Sequence, residues 1–377
     1  MDLGLSESQQ MLKNSAREFL AQECPTSFVR AMEEDSKGYT PELWKKIADL
    51  GWLGLPFPEE HGGLGLSYLD LTLLLEEMGR VLFPGTFFSS VLLGGLTILT
   101  AGGTSQKKDA LPGIAHGDTI ATLALMEPSA EYGPGGIRTT ASLKDLSYVL
   151  NGTKLFVPDA QSADLLIVPA RTRETSDPSE GITLFLVDAH TPGIETTPLV
   201  TIAADKQAEV QCTDVSLPAN AVLGDVDGGW SVLSRIIDMA AVGKCSEMLG
   251  GADRVLEMTV DYVKERAQVG RPVGSFQAVQ HHCANMATVV EGSRFVTYQA
   301  AWLLSEGLPA TREVAIAKAW VGDAYRQVCT LAHQCHGAIG FTREYDLQLY
   351  TRRAEAAEVS YGDAGHYRKI VAQSIGL

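Results

Sequence analysis

The sequence predicts an α+β fold in three parts: helices, then a β-rich module, then helices again. In the first and last thirds, apolar residues recur at the spacing of an amphipathic helix, whereas the middle third contains short β-rich runs between turn residues. We place an N-terminal all-α domain at residues 1–118, a middle β domain at 119–224 and a C-terminal helical bundle at 225–377. A chain of 377 residues can build two or three cores, because single cores rarely exceed roughly 250–300 residues.

Capping residues predict where the helices of the first part begin. Ser6 with Gln9 is typical of a capping box, and Thr40-Pro41-Glu42 supplies an N-cap, an N1 proline and a first-turn acid. Ser67 is predicted to open a further helix that ends at Gly79. The helix that follows Thr40 is expected to bury Leu43, Trp44, Ile47 and Leu50.

The middle part has the pattern of strands. Thr119 to Met126 is a short apolar run, and Leu165 to Val168 and Ile182 to Val187 are predicted strands. Tyr148 to Val157 contains two β-rich arms around Asn151-Gly152, and both of these residues tolerate positive φ. The pattern therefore predicts a β-hairpin at Asn151-Gly152 within a compact β domain.

The last part again has helical spacing. Val255, Thr259 and Val263 fall on one face of a predicted helix between Gly250 and Gly270. Three more helices are predicted at Phe276–Leu304, at Arg312–Gly337 and from Leu347 onward.

The balance of charge excludes two classes of partner. The chain has 30 Lys and Arg residues against 46 Asp and Glu residues, a net charge of −16. A strongly acidic surface repels nucleic acid and anionic membranes. An anionic ligand must therefore be held by a local basic or dipolar site.

Cysteine spacing and the N-terminus predict a cytoplasmic protein without a metal site. The six cysteines are scattered, with no C-x-x-C pair and no metal-ligand spacing. Adjacent His281 and His282 on a helix would point about 100° apart and would not share one ion easily. The first seven residues lack the apolar segment of a signal peptide, and no run approaches the roughly 18–20 apolar residues of a membrane span.

Six segments, in this order and spacing, resemble the acyl-CoA dehydrogenase family. They are Pro58–Gly63, Ala124–Pro128, Asn151–Val157, Glu265–Gln277, Gln334–Thr342 and Leu349–Ala354. The resemblance implies an N-terminal all-α domain, a middle β-barrel or sandwich and a C-terminal four-helix bundle. It also implies FAD as the cofactor, an acyl-CoA substrate, an electron-transfer flavoprotein as partner, and a homo-oligomer that is a dimer of dimers.

The resemblance places the flavin ring against the middle β domain. There Leu123, Leu125 and Met126 would line one strand, while Phe156 and Pro158 would flank the ring. The family usually has a tryptophan and a threonine at these last two positions, so this chain loses hydrogen bonds to the flavin and keeps an aromatic face. The alternative is that Phe156 is an ordinary core residue of a strand.

Two C-terminal segments are implied to contact the FAD of a neighbouring subunit. In the first, Arg266 would hold the pyrophosphate, because a guanidinium can donate two parallel hydrogen bonds to a diphosphate. The alternatives are an arginine that offsets a helix dipole and, for the second segment, a plain helix C-cap. The residues implied are Arg266, Gln268, Phe276 and Gln277 in the first segment, and Gln334, Gly337 and Ala338 in the second.

The family's catalytic base is missing from both of its usual positions. The resemblance aligns the usual glutamate-glycine pair with Tyr361-Gly362, and the alternative position on an earlier helix with Ala240. A phenol with a pKa of about 10 is a poor base at neutral pH, so Tyr361 would shape the pocket or donate a hydrogen bond.

Three carboxylates are candidate substitutes for the base. Glu247 lies on the same helix face as Ala240 but roughly 10 Å along it. Asp238 aligns with a position that contacts the substrate in relatives, as does Gly362. Asp363 and Gly365 lie where relatives touch FAD.

Three hypotheses follow for the function. The first is an acyl-CoA dehydrogenase that acts on a bulky, branched or cyclic acyl group. The second is a base-poor subunit that completes the FAD site of a heterotetramer with a related chain. The third is a flavoprotein of the same fold that acts on something other than a thioester, because fold does not fix function.

Overall fold

A computed structural model describes residues 4–377 and shows a mixed helix and sheet protein, as predicted. The chain divides into two compact units. The helical unit comprises the residues up to Ala31, Ser67–Phe83 and Ala241–Leu377. The sheet unit comprises Met32–Leu66 and Pro84–Ala240.

Long helices supply most of the helical unit, where α9 packs against α8, α10 and α11. The helices of the whole chain are α1 (Glu7–Glu23), α2 (Thr26–Glu34), α3 (Pro41–Asp49), α4 (Tyr68–Arg80), α5 (Leu96–Ala101), α6 (Thr104–His116), α7 (Gly229–Glu265), α8 (Gln277–Ser305), α9 (Thr311–His336), α10 (Leu347–Val359) and α11 (Ala364–Ser374).

The three predicted N-caps are confirmed. The side chains of Ser6, Thr40 and Ser67 accept hydrogen bonds from backbone N–H groups of α1, α3 and α4, and Gln9 completes the capping box of α1. The predicted burial of Leu50 is wrong, since its side chain is 46% exposed. Helix α3 ends at Asp49, so Leu50 lies in the C-cap and no longer follows the buried face.

A buried cluster of charged side chains joins α1, α4 and α8 within the helical unit. Lys13 Nζ lies 2.8 Å from Glu76 Oε1, and Arg294 Nη1 lies 2.6 Å from the same oxygen. Tyr298 Oη donates to Glu76 Oε2 at 2.7 Å. Glu76 is 1% exposed, and these partners satisfy the carboxylate that burial would otherwise destabilise.

Helices α4 and α7 touch along their backbones. A Cβ on Gly250 would lie 1.8 Å from the carbonyl oxygen of Glu76, and a Cβ on Gly79 would lie 2.0 Å from that of Glu247. Only glycine therefore fits at either position. Helix α7 begins at Gly229, well before the predicted start at Gly250, so Gly250 is a packing site within the helix and not its boundary.

One sheet organises the sheet unit. Within residues 4–377 it contains eight strands, with β1 pairing parallel to β4 beside the path β6-β7-β3-β2-β4-β5-β8. The strands are β1 (Ala121–Leu123), β2 (Thr140–Lys144), β3 (Ser147–Pro158), β4 (Leu165–Arg171), β5 (Ile182–Asp188), β6 (Ile194–Leu199), β7 (Gln207–Pro218) and β8 (Val222–Leu223). In the helical unit, β9 (Ala267–Gln268) and β10 (Arg271–Pro272) form a separate short ladder.

The predicted hairpin at Asn151-Gly152 is wrong, because β3 runs straight through both residues. The register between β3 and β7 shifts between Leu150 and Gly152, which marks a β-bulge. Asn151 Nδ2 donates to Asp214 Oδ1 at 3.1 Å, and Asp214 N donates back to Asn151 Oδ1 at 2.8 Å. The Asn-Gly pair thus forms a bulge against a strand that is distant in the sequence.

Candidate cofactor and active site

Two of the sequence segments lie side by side in the sheet unit. Lys154 Nζ lies 2.6 Å from Glu127 Oε1 and also donates to the carbonyl of Pro169 at 2.7 Å. The backbone N–H groups of Arg138 and Thr139 donate to the same carboxylate at 2.9 to 3.1 Å. Burial alone would raise the pKa of Glu127, but Lys154 and these N–H groups outweigh it, so the pKa is lowered.

The predicted flavin-facing strand is shorter than expected. Strand β1 ends at Leu123, which is buried, while Leu125 and Met126 follow it as half-buried residues outside the strand. Leu155 N donates to Met126 O at 2.8 Å, which ties this extension to β3. The prediction that all three residues line one strand is therefore wrong. Strand β1 pairs with β4 as far as Leu123, whereas Met126 accepts its hydrogen bond from Leu155 of β3.

Phe156 is presented at the surface of the sheet unit. Its side chain is 53% exposed, and its φ of 52° lies in the left-handed region. The register of β3 against β7 shifts between Lys154 and Val157, so a bulge turns the ring out of the sheet. The alternative interpretation of Phe156 as a core strand residue is wrong. Pro158 follows half-buried, and its carbonyl accepts from Thr122 Oγ1 at 2.7 Å.

In the helical unit, Arg266 and Gln268 belong to a short exposed hairpin at the end of α7. Gln268 pairs with Arg271, and the two residues between them, Val269 and Gly270, have φ values of 53° and 75°. Positive φ at both central residues is typical of a type I′ turn. Every residue from 264 to 272 is exposed, so this segment presents its polar side chains outward.

Phe276 and Gln277 begin α8 directly after this hairpin. The Arg271 guanidinium lies 4.2 Å from the centre of the Phe276 ring, a cation–π contact. Phe276 occupies the N-cap position without a side-chain cap, and Gln277 is exposed. The hairpin and the start of α8 therefore form one polar surface with two arginines.

The second segment implied to contact FAD lies next to this hairpin. Tyr262, one turn before Arg266, stacks on the His336 ring at 4.4 Å, and Arg266 N donates to Tyr262 O at 2.8 Å. Helix α9 ends at His336, and Gly337 has a φ of 67° in its C-cap. Gln334, Gly337 and Ala338 are all exposed here. The structure therefore brings the two segments together at the ends of α7 and α9.

The turn between α10 and α11 carries Tyr361, which the resemblance aligns with the family's base. Tyr361 has a φ of 58° and is half-buried, and its carbonyl accepts from Tyr367 Oη at 2.7 Å. Gly362 is buried with a φ of 114°, and a Cβ there would lie 2.6 Å from Tyr367 Cε2. The chain can therefore turn here only with glycine at position 362.

The three carboxylates that are candidate substitutes differ in their partners. Glu247 Oε2 lies 2.5 Å from Lys244 Nζ in an ion pair within α7. Asp363 caps α11 by accepting from His366 N at 2.6 Å, and Gly365 follows exposed in the first turn. Within residues 4–377, the Asp238 carboxylate makes no hydrogen bond or ion pair, and burial raises its pKa to about 6.

The residues present fit FAD in each unit taken by itself. The sheet unit offers an exposed aromatic ring, and the helical unit offers an exposed guanidinium beside exposed backbone at Gly337. An aromatic face suits a flavin ring, and a guanidinium suits a diphosphate. Across residues 4–377, no group of three or more His, Cys, Asp and Glu residues could hold a metal ion, and no helix is long and apolar enough to span a membrane.

One buried cation lies next to the Tyr361-Gly362 turn, and no motif in the sequence indicates it. Lys318 of α9 is 1% exposed and donates to the carbonyl of Gly362 at 2.8 Å. A signal was present, because Lys318 is the only charged residue in the run from Val314 to Val321. A lone charge on an apolar helix face indicates a buried polar contact, although the sequence cannot identify the acceptor.

Three family models match the chain in consecutive ranges. The acyl-CoA dehydrogenase N-terminal domain matches residues 6–118, the middle domain matches 122–215 and the C-terminal domain matches 227–376.

Known proteins resemble the chain over almost its whole length. The "Caffeyl-CoA reductase-Etf complex subunit CarC" of Acetobacterium woodii is 30% identical over 92% of each chain. The structure of butyryl-CoA dehydrogenase from Megasphaera elsdenii is 30% identical, covers 100% of both chains and has a TM-score of 0.91. The ChsE4-ChsE5 complex from Mycobacterium tuberculosis contains a chain 28% identical over 100% of both, with a TM-score of 0.91.

Proposed function

This chain belongs to the acyl-CoA dehydrogenase family of FAD-dependent oxidoreductases, and we propose that it converts an acyl-CoA thioester to the α,β-enoyl-CoA. The observation that carries this proposal is the match to all three domain models, in order, across residues 6–376. We include in the proposal a bulky, branched or cyclic acyl group, because a tyrosine stands at the family's base position.

Residues of this chain are proposed to contact two FAD molecules: Arg266 contacts the pyrophosphate of the FAD in a neighbouring subunit, and Phe156 contacts the flavin ring of the FAD that the chain itself binds. When bound, FAD supplies the acceptor for the hydride that leaves the β-carbon. Arg266 would donate two parallel hydrogen bonds to the pyrophosphate, which a chain of net charge −16 must bind through a local cation. Phe156 would pack its exposed ring against the flavin, with Met126 and Pro158 beside it.

Removal of the α-proton needs a group that can accept it. Glu247 is engaged by Lys244, and Asp363 caps α11, so both carboxylates already serve local structure. Asp238 is the remaining carboxylate of the three, and burial raises its pKa to about 6. We propose Asp238 as a contact to the acyl-CoA, in keeping with the family position that it occupies.

An anaerobic titration tests the proposed reaction. The purified, FAD-loaded protein is mixed with a panel of straight, branched and cyclic acyl-CoA thioesters while the yellow absorbance of oxidised flavin is followed. We expect bleaching with at least one bulky thioester and the corresponding enoyl-CoA as product. Absorbance that stays constant with the whole panel, but bleaches with dithionite, would contradict the proposal.

Electron-transfer flavoprotein is the proposed electron acceptor. Support comes from the CarC relative, which is named as a subunit of an Etf complex. The test adds oxidised electron-transfer flavoprotein to the substrate-reduced protein and follows reoxidation of its flavin. Reoxidation no faster than in buffer would exclude this acceptor.

A second candidate function is favoured by the missing base. Tyr361 and Ala240 stand at both usual positions of the family's glutamate, and the ChsE4-ChsE5 structure is a complex of two named chains. The chain would then be the base-poor subunit that completes FAD sites in a heterotetramer, rather than one subunit of a homo-oligomeric dimer of dimers.

The stoichiometry of FAD separates the two candidates. A base-poor subunit purified alone is expected to retain well under one FAD per chain and to reach full occupancy only with its companion. One FAD per chain together with acyl-CoA-dependent bleaching in the isolated homo-oligomer would exclude the heteromeric role.

We also propose a cytoplasmic location. The six cysteines form no disulfide bonds in the structure, as is typical of proteins in a reducing compartment.

A further inference from the structure

A buried lysine holds the turn that carries the family's base position. Lys318 of α9 is 1% exposed, and its Nζ donates to three backbone carbonyls. The three oxygens belong to Ala357 at 3.3 Å, Glu358 at 2.7 Å and Gly362 at 2.8 Å. The first two lie in the last turn of α10, where carbonyls have no partner within their own helix.

The ammonium of Lys318 is satisfied by carbonyl dipoles and not by a counterion. Within the described part of the chain its Nζ forms no ion pair, although Glu358, Asp363, Cys245 and Lys244 contribute weaker electrostatic interactions. Burial lowers the pKa of Lys318 to about 8. A buried ammonium is costly unless hydrogen bonds fill its donors, and here three acceptors match its three N–H groups.

The turn that Lys318 holds is conformationally strained. Tyr361 has a φ of 58°, in the left-handed region that is unfavourable for a residue other than glycine. Strained backbone persists only where its surroundings fix it. Here α11 fixes Tyr361 O through Tyr367 Oη, and α9 fixes Gly362 O through Lys318 Nζ. Two successive carbonyls are therefore held by two different helices.

We propose that Lys318 is a positioning residue that fixes the Tyr361-Gly362 turn and so sets the direction of the side chain at position 361. Lys318 is buried beneath the turn and touches no substrate in this role. The inference rests on the proposed function in one respect, namely that position 361 faces the acyl group. The hydrogen bonds themselves do not depend on the reaction.

The test compares Lys318→Met with a matched control, Lys13→Met. Both changes remove a buried ammonium, but Lys13 bonds to Glu76 and Tyr298 of α4 and α8. Hydrogen exchange of the amides at 360–365 is measured by mass spectrometry in both variants, because it reports on the turn without any turnover. The rate of flavin reduction and the affinity for acyl-CoA are measured in parallel.

In Lys318→Met, exchange at 360–365 is expected to accelerate about tenfold or more, since three carbonyls lose their donor. Flavin reduction is expected to slow about 10- to 100-fold, while acyl-CoA affinity changes less than about threefold, because a misdirected Tyr361 would misshape the pocket and displace the bound acyl group from its reactive position. Lys13→Met is expected to lower the melting temperature and to leave exchange at 360–365 and flavin reduction at wild-type values.

The proposal is overturned if Lys318→Met folds and its exchange at 360–365 equals that of the wild type. If Lys318→Met does not fold, Lys318→Gln, which retains a hydrogen-bond donor, is measured in its place. If neither variant folds, the role of Lys318 is purely structural and the proposal is overturned. If no acyl-CoA reduces the flavin of the wild type, the proposed function fails, and the exchange data still decide the role of Lys318.

Discussion

Lys154 Nζ lies 2.6 Å from Glu127 Oε1 in the sheet unit, and the two side chains are 0% and 4% exposed. We predict that Lys154→Met lowers the free energy of unfolding by about 3–5 kcal/mol, because it leaves the Glu127 carboxylate buried without its cation. Affinity for FAD should fall as well, because the N–H of Leu155, next to Lys154, donates to the carbonyl of Met126, which is proposed to lie beside the flavin. Urea denaturation and FAD titration of the apoprotein measure the two effects.

The control for this variant is Lys45→Met, which breaks an ion pair with Asp49 whose side chains are 71% and 63% exposed. An exposed pair of this kind is worth roughly 0–1 kcal/mol. If the two variants lose the same free energy of unfolding, burial does not increase the contribution of the Lys154–Glu127 ion pair to stability. The double variant Lys154→Met with Glu127→Leu should recover part of the loss, because no charge is left unpaired.

Phe156 provides a test of cofactor packing. We predict that Phe156→Ala weakens FAD binding by about tenfold, since an aromatic contact is worth roughly 0.5–1.5 kcal/mol beyond its buried area. Fluorescence titration of the apoprotein with FAD measures the change. Leu143→Ala, which removes a 62% exposed side chain from β2, should leave the affinity unaltered.

The backbone at position 156 allows stability to be separated from affinity. Because φ is 52°, Phe156→Gly should be more stable than Phe156→Ala by about 1 kcal/mol in the apoprotein, the reverse of the usual order in a strand. Both variants should bind FAD equally weakly. If Phe156→Ala proved more stable than Phe156→Gly, the backbone at position 156 would not have the left-handed conformation.

Position 361 provides a test of the prediction that the family's usual base is absent. We predict that Tyr361→Glu accelerates flavin reduction by acyl-CoA about 100-fold or more, because a carboxylate is a far better base than a phenol at neutral pH. Tyr361→Gln is the matched control, with similar size and no proton acceptor, and should show no acceleration. Stopped-flow absorbance measures both rates. A Tyr361→Glu variant no faster than its glutamine counterpart would place the proton acceptor elsewhere.

Asp238 predicts a dependence of stability on pH. Its pKa is about 6 in the folded chain and about 3.9 when unfolded, so between these values the folded state binds more protons and stability falls as pH rises. Asp238→Asn removes this penalty. The variant should exceed the wild type by up to about 3 kcal/mol above pH 7 and by less than about 1 kcal/mol at pH 4, as measured by urea denaturation.

Asp109→Asn is the control for the pH experiment. Asp109 is exposed on α6, so its loss should change stability by less than about 0.5 kcal/mol at either pH. If the difference in the free energy of unfolding between Asp238→Asn and the wild type does not grow from pH 4 to pH 7, burial does not raise the pKa of the Asp238 carboxylate.

Local signals in the sequence predicted local structure well. Ser6, Thr40 and Ser67 each cap the helix that the pattern assigned to them, because a cap depends on residues only three positions apart. The Asn151-Gly152 signal failed for the opposite reason. Pairing of β3 with β7, some 60 residues away, overrode the turn preference, and no local pattern reveals that partner.

The candidate site was predicted in part. The motifs located Arg266 and Gln334, and the structure brings their segments together through Tyr262 and His336, a contact that spacing alone could not reveal. The sequence predicts one helix from Leu347 onward, so it does not reveal that Asp363 caps the separate helix α11. Their roles toward FAD and acyl-CoA remain predictions.

Helix α9 carries Lys318 in its first half and Gln334 near its end, about 24 Å apart at 1.5 Å per residue. If the segment around Gln334 contacts the FAD of a neighbouring copy, each α9 takes part in two reaction centres, its own and its neighbour's. Copies of the chain would then not be independent catalysts. A faulty copy mixed into an otherwise normal oligomer would impair more centres than it contributes, so activity would fall faster than the fraction of faulty chains rises.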